Sequence, residues 1–150
     1  MPQRMLLNQT IQYALRAMSV LAALRPGHFL TATQLAESAS VPPHYLSKVM
    51  RRLVLADLVE GTKGHGGGFT LHRPASQIRF REIVEAVSGP LEADACAFGW
   101  GQCNARKPCP LHVAFESLNS GLDEWLDGQT LDRVAGHGLG AARGRTARKA

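Results

Sequence analysis

The seventeen residues CAFGWGQCNARKPCPLH, positions 96–112, hold every cysteine of the chain and set a histidine three positions after the last. Thiolate sulfur selects zinc or iron–sulfur chemistry over hard cations. Cys96, Cys103, Cys109 and His112 follow the spacing C-x6-C-x5-C-x2-H. Structural zinc sites usually begin with a tight C-x2-4-C knuckle, and this loop has none. Wide intervals, with Gly99 and Gly101 to let the backbone bend, suit a bulkier object such as an iron–sulfur cluster. Arg106 and Lys107 would offset a cluster's negative charge, and Phe98 and Trp100 would shield it or simply pack the loop. On spacing alone the order is iron–sulfur, then zinc, then uncoordinated redox thiols. His112 is a fourth ligand or merely a residue in the first turn of the next helix.

An odd number of cysteines without an export signal argues against a disulfide framework and for a reducing cytoplasm. The opening MPQRMLLNQTIQ interrupts its apolar run with Asn8, Gln9, Thr10 and Gln12, and no stretch reaches membrane-spanning length. The 150 residues allow one domain with a real core, or a small domain with an arm. The net charge of +5 is unevenly placed. Arg133, Arg143, Arg145, Arg148 and Lys149 account for all of it. In the balanced remainder, residues 44–81 carry seven basic and two acidic side chains, while 82–132 carry two basic and nine acidic. One middle segment is built to meet an anion, and the next is not.

The elements that would position these groups follow from periodicity. Residues 8–24 place Ile11, Leu15, Met18, Leu21 and Ala22 on one helical stripe, ended by Pro26-Gly27. Thr31 and Gln34 have capping-box spacing and start a short helix to about Ser38. After the break Ser40-Val41-Pro42-Pro43, Pro43 opens a second helix with Leu46, Val49, Met50 and Leu53 inward. His44, Ser47, Lys48 and Arg51 face outward, with Arg52 alongside. Two short helices joined by a tight turn, the second basic outside, describe a helix-turn-helix. LVEGTKGHGGGFTLHRP then reads as two strands around a glycine-rich tip bearing Lys63 and His65, the wing of a winged helix. FREIVEAVS (80–88) forms another helix, with Ile83, Val84 and Val87 inward.

Beyond the cysteine loop, Pro110 opens a longer helix with Leu111, Phe115, Leu118, Leu122 and Trp125 at heptad spacing. That seam fits a partner helix, and thus a homodimer reading two half-sites; the alternative is a helix folded back on its own domain. The fold class expected is mainly α with a small β-hairpin. Residues 1–90 form the winged helix-turn-helix domain, 91–128 the cysteine loop and dimerisation helix, and 129–150 a basic, disordered tail.

QYALRAM, VPPHYLSKVMRRL, KGHGGGF and the three-cysteine loop before a long helix together resemble the winged-helix iron–sulfur regulators of the IscR and NsrR type. The resemblance implies a cytoplasmic homodimer on a double-stranded DNA operator, with its long helices paired and a cluster near the interface. It also implies that Cys96, Cys103 and Cys109 hold iron. A histidine three residues after the last cysteine completes the IscR-like set, and His112 stands there. In the nitric-oxide-sensing branch the fourth ligand is an acidic residue on the partner's first helix, where this chain has Gln12. A 2Fe–2S cluster is the first reading and a 4Fe–4S cluster with an open coordination site the second.

The expected function is a repressor whose DNA binding depends on cluster state, set by redox, nitric oxide or iron and cluster supply. His44, Ser47, Lys48 and Arg51 would enter the major groove, Arg52 would hold phosphate, and Lys63 and His65 would act from the wing. A zinc-stabilised or thiol-based regulator is the alternative, followed by an electron carrier or cluster-delivery protein. No nucleophile–base–orienter set marks an enzyme, since Ser117 and Ser120 have no evident partner, and no small-molecule substrate is expected.

Overall fold

A computed structural model of the chain describes residues 7–91, 96, 98 and 106–137. The first helix, α1 (Gln9–Ala22), starts where Asn8 Oδ1 accepts the Ile11 amide at 3.0 Å, filling one of the donors that a helix start leaves orphaned. It buries Ile11, Ala14, Ala17, Met18 and Leu21. The two alanines leave room for close neighbours, and α1 becomes the central helix, packed on three others. Its buried face is broader than the expected stripe, and Leu15 and Ala22 sit half-buried at the edge.

The expected capping box opens α2 (Ala32–Ala39). Gln34 N donates to Thr31 Oγ1 at 3.2 Å, and Thr31 N donates to Gln34 Oε1 at 3.0 Å. Ser40 ends it in the left-handed region at φ 55°, and the chain re-enters helix at α3 (Pro43–Leu55) with proline in the first turn. The inward face of α3 is Leu46, Val49, Met50 and Leu53, as its period requires.

The hairpin β1 (Val59–Thr62) and β2 (Gly68–Leu71) is antiparallel, with Val59 opposite Leu71 and Thr62 opposite Gly68. Gly66 turns its tip at φ 76°. Leu30, just before α2, pairs with Phe69 as an isolated antiparallel bridge through bonds of 3.1 Å and 2.7 Å. A Cβ on Gly68 would stand 2.3 Å from the Leu30 carbonyl oxygen, so only glycine allows that approach. The helix α4 (Phe80–Ser88) follows and buries Phe80, Ile83, Val84 and Val87.

The last helix, α5 (His112–Gly128), begins two residues later than Pro110. Its buried residue is Leu126, outside the expected heptad set, while Leu111, Leu118 and Trp125 are exposed. Trp125 meets Phe80 of α4 edge-on, with ring centroids 5.3 Å apart.

The chain then does not leave as a solvated tail, which corrects the expectation for residues 129–137. Gln129 O accepts the Phe80 amide at 3.0 Å, Leu131 N donates to Ile78 O at 2.9 Å, and Leu131 is fully buried. Ser19 Oγ donates to Val134 O at 2.6 Å, and Gly136 N returns to Ser19 O at 2.9 Å. Leu131 and Val134 supply the apolar contact that outweighs the polar composition around them. The rest of the expected tail, 138–150, lies outside the described residues.

Candidate functional site

Two regions carry the residues singled out by sequence. The first is the outer face of α3 with the hairpin. Ser47, Arg51 and Lys63 line one groove of about 610 Å³ between helix and wing, floored by Met50, Val54 and Phe69. His44 and Lys48 are exposed on α3 beyond that lining, and His65 is exposed at the wing tip. Ser47 Oγ donates back to the Pro43 carbonyl at 3.2 Å, so its hydroxyl is held on the helix. The His44 ring leans on Tyr45 at 4.4 Å, and Tyr45 in turn reaches Tyr13 of α1 at 5.6 Å.

Arg52 behaves differently from its neighbours. Its guanidinium donates to the Val87 carbonyl in the last turn of α4, which ties the recognition helix to α4 while the residue stays exposed. Arg16, which the sequence reading passed over, fixes the helix-turn-helix corner by donating to Ser40 O at 3.1 Å. Its charge lies over the Tyr13 ring at 5.6 Å. Tyr45 was also missed; an aromatic set among His44, Ser47 and Lys48 was the available signal, and the structure leaves it exposed.

The second region is the cysteine loop. Cys96 and Cys109 are half-buried; Cys103 lies outside the described residues. The His112 amide donates to the Cys109 carbonyl at 3.0 Å, which places the last cysteine and the histidine in one turn at the start of α5. The imidazole is mostly covered, with Nε2 3.8 Å from Glu116. Gln12 Nε2 donates to the Leu7 carbonyl at 3.0 Å. Among the described residues no three histidine, cysteine or acidic side chains converge as a metal cage. The donor chemistry, three sulfurs and an imidazole, suits iron–sulfur ligation, and two of the sulfurs and the imidazole belong to described positions.

Between the two regions lies a charged joint. Arg81 on α4 grips α5: Nε to Asp127 Oδ1 at 2.6 Å, Nη2 to Asp127 Oδ2 at 3.1 Å, and Nη2 to Asp123 Oδ1 at 2.6 Å. The Asp127 bond, then the Asp123 bond, raise the Arg81 pKa further, and Arg81 holds the Asp127 carboxyl below the usual carboxylate range. A depressed carboxyl adds stability above its ordinary pKa and loses it as pH falls through the lowered value, so the joint stays charged near neutrality.

The two-stranded wing beside a helix-turn-helix defines a winged-helix DNA-binding protein. Residues 7–137 match the Rrf2 family, described as an iron-dependent transcriptional regulator. The chain belongs to that family, whose members are transcriptional regulators rather than enzymes. It is 28% identical over 123 residues to the HTH-type transcriptional regulator IscR of Escherichia coli O1:K1, covering 82% of this chain and 75% of the relative. The structure of CymR, the global cysteine regulator of B. subtilis, superposes with a TM-score of 0.73 at 21% identity, covering 87% of this chain and 96% of that one. T. potens IscR superposes with a TM-score of 0.66 at 23% identity, covering 85% of each chain. Among the described residues no helix is long and apolar enough to cross a membrane.

Proposed function

We propose that this Rrf2-family regulator is a cytoplasmic, homodimeric repressor whose grip on its operator depends on an iron–sulfur cluster, 2Fe–2S in the first reading, held by Cys96, Cys103, Cys109 and His112. The observation that carries this reading is the junction of Cys109 and His112 at the first turn of α5, the helix whose apolar side is left open. Leu118, Leu122 and Trp125 line a surface groove with Leu7, and a second α5 would cover it. The cluster supplies redox and nitric-oxide reactivity, and iron dependence. This chain's part is to hold it where a change at the loop displaces α5. Coupling of about 1–3 kcal/mol between two sites changes affinity about 5–150-fold, enough to switch a promoter.

The DNA-facing set is His44, Ser47, Lys48 and Arg51 on α3, with Lys63 and His65 on the wing. Arg52 stands alongside this set as a phosphate contact, its guanidinium steadied by the Val87 carbonyl. Arg51→Ala is expected to cost about 1–3 kcal/mol at a single operator position, measured by binding to a panel of singly substituted duplexes. An equal loss on every duplex would make Arg51 a phosphate contact instead.

Purification without oxygen, followed by absorption and iron analysis and by DNA binding before and after nitric oxide, air or chelator, tests the whole reading. A brown, iron-loaded dimer with treatment-dependent affinity is expected. A colourless, zinc-containing protein binding DNA with unchanged strength would replace the sensor with a zinc-stabilised regulator.

A further inference from the structure

The helix α4 touches the recognition helix at one end and α5 at the other. At its last turn, the Val87 carbonyl accepts from Arg52 of α3. At its first turn, Arg81 closes a two-pronged bond on Asp127 and a third bond on Asp123, two acids one turn apart on α5. Arg81 Nη1 also lies 3.5 Å from Glu85, whose Oε1 accepts the Leu91 amide, also at 3.5 Å, where the chain turns towards the cysteine loop. Nine residues of helix, about 13 Å long, thus join the element that reads DNA to the helix that would meet the partner subunit.

The backbone bonds Phe80 N to Gln129 O and Leu131 N to Ile78 O pin the chain just beyond the end of α5 to the start of α4. Further up α5, Phe80 meets Trp125 edge-on at a single ring contact and Leu126 is buried; such packing favours a range of crossing angles rather than one. A planar guanidinium forked onto a carboxylate does have a direction. The Arg81 side chain is largely covered, while its acids are about half exposed, so the pair contributes geometry more than stability.

We infer that Arg81 is a positioning residue: its fork sets the angle between the DNA-binding unit and α5, and thereby the spacing of operator half-sites the dimer accepts. This rests on the dimeric reading above. In a two-fold dimer, half-sites sit about 34 Å apart for one turn of DNA, and a rolled α5 moves both recognition helices away from that separation.

The test uses the full chain as wild type, Arg81→Gln, Arg81→Lys and the double variant Asp123→Asn/Asp127→Asn. Each is measured for solution mass, unfolding midpoint, iron content, affinity for a single half-site, and affinity for a series of palindromes whose spacers differ base pair by base pair. Wild type is expected to prefer one spacing by about fivefold or more, in the range of ordinary coupling between sites. Arg81→Gln and the double variant should flatten that preference while half-site affinity, mass, iron and midpoint hold. Lysine keeps the charge without the fork, so it should not restore the preference. If a dimeric wild type has a sharp preference that Arg81→Gln leaves intact, or that lysine fully restores, the inference falls alone. Loss of half-site affinity in step with a lowered midpoint also overturns it, reducing Arg81 to a stabilising contact. A monomeric wild type overturns the dimeric reading and this inference together.

Discussion

Replacing Cys103 with alanine is expected to give a colourless, iron-poor protein whose affinity for its operator no longer changes with air, nitric oxide or chelator. Each iron in a cluster needs anionic or imidazole donors, and alanine offers none, so Cys96, Cys109 and His112 would be left one ligand short. The wild type should respond by about 5–150-fold, and the variant by no more than the scatter of the assay. The fold should survive, because among the described residues the buried core runs from Ile11 to Val87 with Leu126 and Leu131 and includes no cysteine. An unchanged far-ultraviolet dichroism spectrum would separate loss of the cofactor from loss of structure. A variant that stays brown and iron-loaded would show that the ligand set is wrong.

Leu131→Ala is expected to destabilise the protein by about 2–5 kcal/mol, read from the shift in denaturant midpoint at constant slope. Leu131 is fully buried, and its amide is bonded to Ile78, so truncation opens a cavity between the turn at Leu131–Val134 and the start of α4. A residue in a solvated tail would cost no more than about 0.5 kcal/mol. The two outcomes are far enough apart for a single melt to decide whether the segment after α5 belongs to the folded unit.

Periodicity exposed the headpiece because its elements are local. The capping box at Thr31 and Gln34, the inward face of α3, the glycine-rich tip and the face of α4 each depend on residues within one turn or one hairpin of each other. What stayed hidden depends on distance along the chain. A sequence displays the charge of Arg52 but not that it turns to the Val87 carbonyl, 35 positions on. Arg81 finds its acids 42 and 46 positions away, and no local pattern marks that match. In α5, regular leucine spacing suggested one seam, yet the core takes Leu126 one step to the side, because the helix must serve its own domain at its end. Glycine, alanine and arginine around Leu131 and Val134 masked two apolar anchors in a stretch that composition alone assigns to solvent. Of the cysteine loop, the donor types and intervals were legible, as was the histidine at the helix start.

The bond between Ser19 and Val134 joins positions 115 apart, which affects how the protein is made. Contacts between such remote positions form late and slow the search for the native state. Because α1 is completed from the far end of the chain, the headpiece cannot finish folding while that end is still being synthesised. The cysteine segment emerges before the strand of chain that locks α1. Closure of the headpiece is therefore a post-translational event, completed only after the cysteine segment has already left the ribosome.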